Sequence, residues 1–360
     1  MKKQGRISKM KCQQVNVSRK ILFCLVLLFF GLMSASVTHA ETYNFVTKWD
    51  SQGNGNGSYS YPRSIAVDSS GYVYVAYSVN DRIEKFDSNG TFLTQWGSYG
   101  TGNGQFNEPS GVAVDSSGNV YVADPSNNRI EKFNSTGGYL TQWVCNGSGY
   151  EHIYGHYSCT SGIAVDSLGN VYADNPHNSL VQKFNSNGRY LTQWGSLGTG
   201  NGQFNEPSGV AVDSSGNVYV ADQYNNRIQK FDSNGGYLTQ WGSSGSGNGQ
   251  FKNPYGVAVD SSDNVYVADK NNNRIQKFDS SGNYITQWGS YGTGNGQFNG
   301  PFGVAVDSSG NVYVIDFSIL CIQKFAPNVS KSTTNFADFP SIIVPVAAML
   351  VLTVIFRRKK

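Results

Sequence analysis

Six tryptophans stand at positions 49, 96, 143, 194, 241 and 288, separated by 47, 47, 51, 47 and 47 residues. The aspartate closing each apolar AVD run keeps the same beat, at 68, 115, 166, 213, 260 and 307. A fixed period near 47 residues confines the chain to repeat architectures, in which one unit cannot bury its own faces and stacked copies bury each other's. This period suits a propeller blade.

Inside a unit the pattern is strand throughout. GVAVD is a short apolar run ended by the turn signal Asp-Ser-Ser-Gly-Asn. NVYVAD, RIQKF and YLTQW follow, each rich in β-branched or aromatic residues, with Gly, Asn and Ser between them. Nothing has helical spacing. Six units of four strands predict an all-β, six-bladed β-propeller over residues 41–326. The last unit stops at Ile322-Gln323-Lys324-Phe325 and lacks its fourth strand, whereas residues 43–49, YNFVTKW, are an orphan copy of that strand. The orphan is expected to complete blade six and close the ring, since an open ring would leave strand edges unpaired. The tryptophans are expected between neighbouring blades.

The run P-x-G-V-A-V-D-S-S-G-N-V-Y-V-A-D-x-x-N-N-R-I-Q-K-F resembles the NHL repeat, and the likeness covers residues 43–326. It implies the propeller fold. For function it implies a binding platform or, less often, an enzyme, because a fold does not determine the activity it carries.

Charge is unevenly placed. Residues 1–40 hold seven basic residues and no acid, and the chain ends Arg357-Arg358-Lys359-Lys360. Setting those eleven aside from the 27 basic residues leaves 16 against 24 acidic ones, so the middle carries about −8. A nucleic-acid partner needs a basic footprint on the folded domain, and this composition excludes one.

The basic start is followed by an apolar run over 21–33 and small residues up to Ala40, the pattern of a secretory signal. An uncleaved anchor is the alternative. Residues 327–338 read as a polar stalk. Residues 339–360 contain an apolar run of eighteen residues ended by RRKK, near the lower limit for a membrane span. Asp338-Phe339-Pro340, Val344-Pro345-Val346-Ala347-Ala348 and the basic end resemble the PEF-CTERM sorting signal of archaeal surface proteins, with Ala337-Asp338 where that family usually has Pro-Glu. The resemblance implies processing by an archaeosortase and transfer to a membrane anchor. Together the ends predict an exported protein held at the outer face of the membrane.

The repeats differ mainly in the loops before the first strand and after the second, which are expected on one face. Arg63, Tyr224, Tyr255, Phe302 and Phe317 fall there, and aromatics with arginine are what binding patches favour. Neutral drift on an exposed loop is the alternative. The aspartate ending VYVAD and the arginine five residues on are both present as Asp124/Arg129, Asp222/Arg227 and Asp269/Arg274. Blade one keeps only Arg82 and blade six only Asp316. Ion pairs within a blade are expected. The alternative leaves Arg82 and Asp316 free to meet a ligand or each other.

The aspartate ring could hold Ca²⁺ or cap its own turns. The four extra residues of the third unit lie in a loop containing Cys145, His152, His156 and Cys159. These form a Cys₂His₂ set for Zn²⁺, a Cys145–Cys159 disulfide, which export favours, or free thiols. Cys321 is expected to be buried in a strand. Asn56, Asn89, Asn134, Asn146 and Asn328 begin N-x-Ser/Thr triplets. The balance points to a cell-surface module that binds a protein or glycan without catalysis and without a cofactor. The competing expectations are an exported metal-dependent hydrolase or lyase and a structural envelope component.

Overall fold

The computed structural model describes residues 41–50, 61–145 and 162–328. They form 24 strands, β1 (Thr42–Asp50) to β24 (Cys321–Asn328), arranged as six antiparallel sheets of four. Blade four is representative. Its strands are Pro207–Val212, Val218–Asp222, Arg227–Phe231 and Tyr237–Trp241, a meander from the innermost strand to the outermost.

The second strand of every blade is buried along its whole length. Both faces are covered, so it reads as a continuous apolar run. In blade four Val218 and Val220 pack toward blade three, with Tyr172 and Val181. Tyr219 and Ala221 face the other way, toward Val257, Val265 and Val267 of blade five. Each of the six core clusters combines residues of two adjacent blades. The core is therefore six interfaces, which is why the sequence must repeat.

The tryptophans seal these interfaces as expected. Trp194 meets Tyr172 of its own blade and Phe231 of the next, at ring separations of 6.3 and 5.8 Å. Such pairs contribute about 0.5–1.5 kcal/mol beyond area burial. Gly235 makes room for this indole. Its φ is +89°, and a Cβ there would lie 2.6 Å from the Trp194 ring, so only glycine fits.

A second interblade device repeats just as strictly. The Lys183 ammonium sits 4.9 Å from the Tyr172 ring centre and donates to the Ser233 carbonyl of blade four at 2.8 Å. Tyr172 in turn donates to Asp166. Burial lowers the Lys183 pKa, and the π face together with the carbonyl compensates the buried charge. Lys85, Lys132, Lys230 and Lys324 make the same bridge.

The ring closes through β1. It pairs antiparallel with β24, from Thr42 opposite Asn328 to Asp50 opposite Cys321, as the outermost strand of blade six. Residues 327–328, read from sequence as the start of a stalk, belong to this pairing. Glu41 takes the acceptor role that a serine carbonyl plays elsewhere, receiving the Lys277 ammonium at 2.8 Å.

Charge inside the blades is set by three slots. In blades four and five the arginine pairs with the aspartate at 2.7 and 2.8 Å, and the third slot holds Gln229 or Gln276. Blade one has Tyr77 in the aspartate slot, and Arg82 pairs with Glu84 at 2.8 Å. The expectation of an Arg82–Asp316 contact, or of both being left for a ligand, is thus corrected. Arg82 has a partner on its own strand, and Asp316 accepts the amides of Asn299, Ser318 and Ile319.

Blade two crowds two carboxylates, Asp124 and Glu131, around one Arg129. Burial pushes the Glu131 carboxyl up to about 7, against the pull of the Gly104 amide and Arg129, and Asp124 adds to the rise. A native pKa raised above the unfolded value of 4.5 means the folded state holds its proton more tightly. That contribution is complete below the unfolded value and is lost as pH rises through about 7. Glu131→Gln should therefore be nearly neutral at low pH and stabilise by about 3 kcal/mol above pH ~7.5. Glutamine at this slot in blade four keeps the loop-amide bond, Gly202 N to Gln229 Oε1, at 2.9 Å. Urea titrations of both proteins across this range check it, and a pH-independent difference would contradict it.

The segments read as export signal and anchor, 1–40 and 339–360, lie outside the described residues. Among the described residues no helix is long and apolar enough to cross a membrane.

Candidate functional site at the channel mouth

Strand register decides which loops share a face. The first residue of an innermost strand lies opposite the last residue of the second strand, as Pro207 to Asp222, Pro254 to Asp269 and Pro301 to Asp316. The loops before the first strand and after the second therefore meet at one end of the channel, as expected. The Asp-Ser-Ser-Gly-Asn turns lie at the other end.

At that other end each aspartate caps its own turn. Asp213 accepts the amides of Ser215 and Asn217 with one oxygen, and the Asn217 side chain and the Tyr219 hydroxyl with the other, all within 3.0 Å. Asp68, Asp115, Asp166, Asp260 and Asp307 bond alike. Among the described residues no three His, Cys, Asp or Glu side chains converge on a point that could hold a metal. The set containing His152, His156 and Cys159 falls largely outside the described residues. Cys145 itself is buried and disulfide-bonded.

The mouth is a shallow concavity lined from all six blades. Its floor is a ring of branched side chains, Ile65, Val112, Ile163, Val210, Val257 and Val304. Glycines stand just above because neighbouring backbones almost touch there. A Cβ on Gly256 would lie 2.4 Å from the Phe302 carbonyl oxygen.

The rim is uneven. Blades two and four present the small Ser110 and Ser208 before their first strands, whereas blades five, six and one present Tyr255, Phe302 and Arg63. Tyr255 and Phe302 stack with ring centres 3.5 Å apart, and Phe317 stacks behind Phe302 at 5.2 Å. Lys270 places its ammonium 5.0 Å from the Phe302 ring centre and 5.5 Å from that of Tyr255. Burial and then the positive charge of Arg63 lower the Lys270 pKa. The two cations thus share one partly desolvated corner.

Four of the five residues singled out by sequence comparison, Arg63, Tyr255, Phe302 and Phe317, come together here. Tyr224 does not. It is half exposed on its loop and is not part of the mouth lining. Two residues were missed. Lys270 follows the second strand of blade five, where Pro125, Pro176, Gln223 and Phe317 stand in blades two, three, four and six. Asp174, fully buried, stands where blades one, two, four and five have alanine, and it accepts the Gly162 amide at 3.0 Å beside the mouth. Comparing each column of the repeats for charge, rather than for aromatics alone, would have found both.

Cys321 is buried in β24, and burial pushes its thiol up to about 12. Of the glycosylation triplets, Asn89, Asn134 and Asn328 are exposed. Asn56 and Asn146 lie outside the described residues.

The fold and its mouth define a six-bladed β-propeller. Residues 106–133, 204–231 and 251–278, in blades two, four and five, match the model of the NHL repeat. No curated protein sequence matches the chain significantly. Similar solved structures include a catalytically inactive virginiamycin B lyase from Staphylococcus aureus, with 15% identity over 80% of this chain and 90% of that one and a TM-score of 0.53. A gluconolactonase from Xanthomonas campestris has 12% identity over 81% and 99%, with a TM-score of 0.56. A structure of a nidogen/laminin complex has 17% identity over 69% and 85%, with a TM-score of 0.51. At these identities the likeness concerns the fold alone.

Proposed function

We propose that the protein is an exported binding module, anchored at the outer face of the cell membrane, which holds a protein or glycan ligand at its channel mouth without catalysing a reaction. One observation carries this reading. β1 begins and β24 ends together at the face opposite the mouth, with Thr42 paired to Asn328. A chain continuing from Asn328 into a stalk and an anchor turns the mouth away from the membrane. The sorting-signal resemblance of residues 338–360 supplies the anchor, through an archaeosortase or as a direct span.

The aromatic and cationic rim supports ligand binding, since such residues dominate recognition hot spots. The test has two arms. Protease or antibody accessibility on intact cells should find the propeller outside. An array of envelope polysaccharides and surface proteins should bind the wild type and lose that binding with Tyr255→Ala at unchanged melting temperature. A protein confined to the cytoplasm, or binding indifferent to Tyr255, would sink the proposal.

A further inference from the structure

Resting on that reading, we infer that the channel mouth recognises an acidic saccharide, its carboxylate or sulfate held between Arg63 and Lys270 and its ring seated against Tyr255. The first support is charge. Arg63 lines the mouth beside Tyr255 and Phe302, the two rings over which the Lys270 ammonium lies, and among the described residues neither cation forms an ion pair with a carboxylate. The Nε of Arg63 is shielded from solvent and has no hydrogen-bond partner among the described residues. Two like charges in a partly desolvated corner cost free energy unless an anion answers them. The aromatic faces beneath Lys270 offset part of that cost for the ammonium, and among the described residues no ring lies under the Arg63 guanidinium. An anionic group with two oxygens matches the guanidinium fork and reaches the ammonium beside it.

The second support is shape. The mouth is lined by all six blades and floored by the ring from Ile65 to Val304. The concavity is shallow, so the ligand group that enters it is small, such as one terminal sugar residue. The half-exposed Tyr255, braced by Phe302, gives the apolar face of such a ring a rigid wall. Before their prolines, blades five, six and one carry Asn253, Gly300 and Tyr61 where blades two and four carry Glu108 and Glu206, and Asp269 and Asp316 at this end are buried and already bonded, to Arg274 and to backbone amides.

The experiment is calorimetric titration of the full chain in detergent with glucuronate, glucose 6-sulfate, glucose and a short acidic peptide, at low and high ionic strength. The two acidic sugars should bind and glucose should bind at least tenfold more weakly. Arg63→Ala and Lys270→Ala should each weaken the acidic sugars by about tenfold or more, the scale of one lost charge-assisted hydrogen bond. Added salt should weaken them too, while the melting temperature holds. Which of the two sugars binds better tells a carboxylate ligand from a sulfated one. Equal binding of glucose and glucuronate, preference for the acidic peptide, or indifference to both substitutions would overturn the inference. If Tyr255→Ala then still abolished binding on the array, the binding-module reading would stand without it. Absence of all binding, on the array and in the calorimeter, would remove both.

Discussion

Deletion of residues 41–50 should abolish cooperative folding of the whole propeller, although it removes one strand in 24. That strand serves three interfaces at once. Trp49 packs between Tyr313 of blade six and Phe86 of blade one, at 6.2 and 6.1 Å. Tyr43 stacks on Trp288 at 4.2 Å, and its hydroxyl meets that of Tyr266 at 2.9 Å in blade five. Lys48 donates to the Thr293 carbonyl at 3.4 Å.

This last contact replaces a missing part. In blades two, four and five an arginine donates to the equivalent carbonyl, of Thr101, Thr199 or Ser246. Blade six has Cys321 in the arginine slot, and the cation arrives from the other end of the chain. Each large aromatic contributes about 2–3 kcal/mol when fully buried, so the loss exceeds about 5 kcal/mol, a large share of a typical domain's stability. The deletion also exposes β24 as an open edge, which invites aggregation. Thermal melting by circular dichroism and size-exclusion chromatography should show an unfolded or aggregated protein. A synthetic 41–50 peptide should restore the fold by strand addition. A deletion variant that melted within a few degrees of the wild type would refute the closure argument.

Arg227→Ala should cost about 3–5 kcal/mol, the usual penalty for stranding one partner of a buried ion pair. Arg227 is buried and donates to Asp222 at 2.7 Å, to the carbonyls of Thr199, Gly200 and Gln203 at 2.8 Å, and to Gln240 Oε1 at 2.7 Å. One guanidinium therefore ties the long loop between blades three and four to two strands of blade four. Its removal leaves the Asp222 charge buried and takes the donor from the Thr199 carbonyl, while those of Gly200 and Gln203 keep the Gln203 backbone amide and the Gln229 side-chain amide.

Blade three shows how the slot is filled without charge. It has Leu180 where the arginine stands and Asn175 where the aspartate stands. The double variant Arg227→Leu/Asp222→Asn should accordingly lose less than Arg227→Ala alone. Urea denaturation of the single and double variants tests this as a thermodynamic cycle. A single substitution costing under about 1 kcal/mol would show that the pair is only ornamental to stability.

Much of the molecule could be read from the chain alone. The tryptophan beat set the number of blades, four strand patterns set their content, and the orphan copy at 43–49 set where the ring closes. These are legible because each depends on local chemistry repeated six times. A turn aspartate bonds residues two to six positions away, as Asp213 does with Ser215, Asn217 and Tyr219. Such short-range contacts leave their mark in the sequence of one unit.

What stayed hidden depends on which copy stands beside which. Lys48 doing the work of an arginine, and Arg82 turning to Glu84, are answers to a vacancy in one blade, found by whatever neighbour the register brings within reach. The mouth is the same case. Arg63 and Lys270 are 207 positions apart in the chain, and only the sixfold circle lays blade one near blade five and lets the two charges oppose each other. Sequence by itself determined a closed six-bladed propeller, since period and strand pattern are properties of a single repeat. The corner where two cations meet stacked aromatics was decided by tertiary structure, since it exists only once the ring has brought its unlike copies side by side.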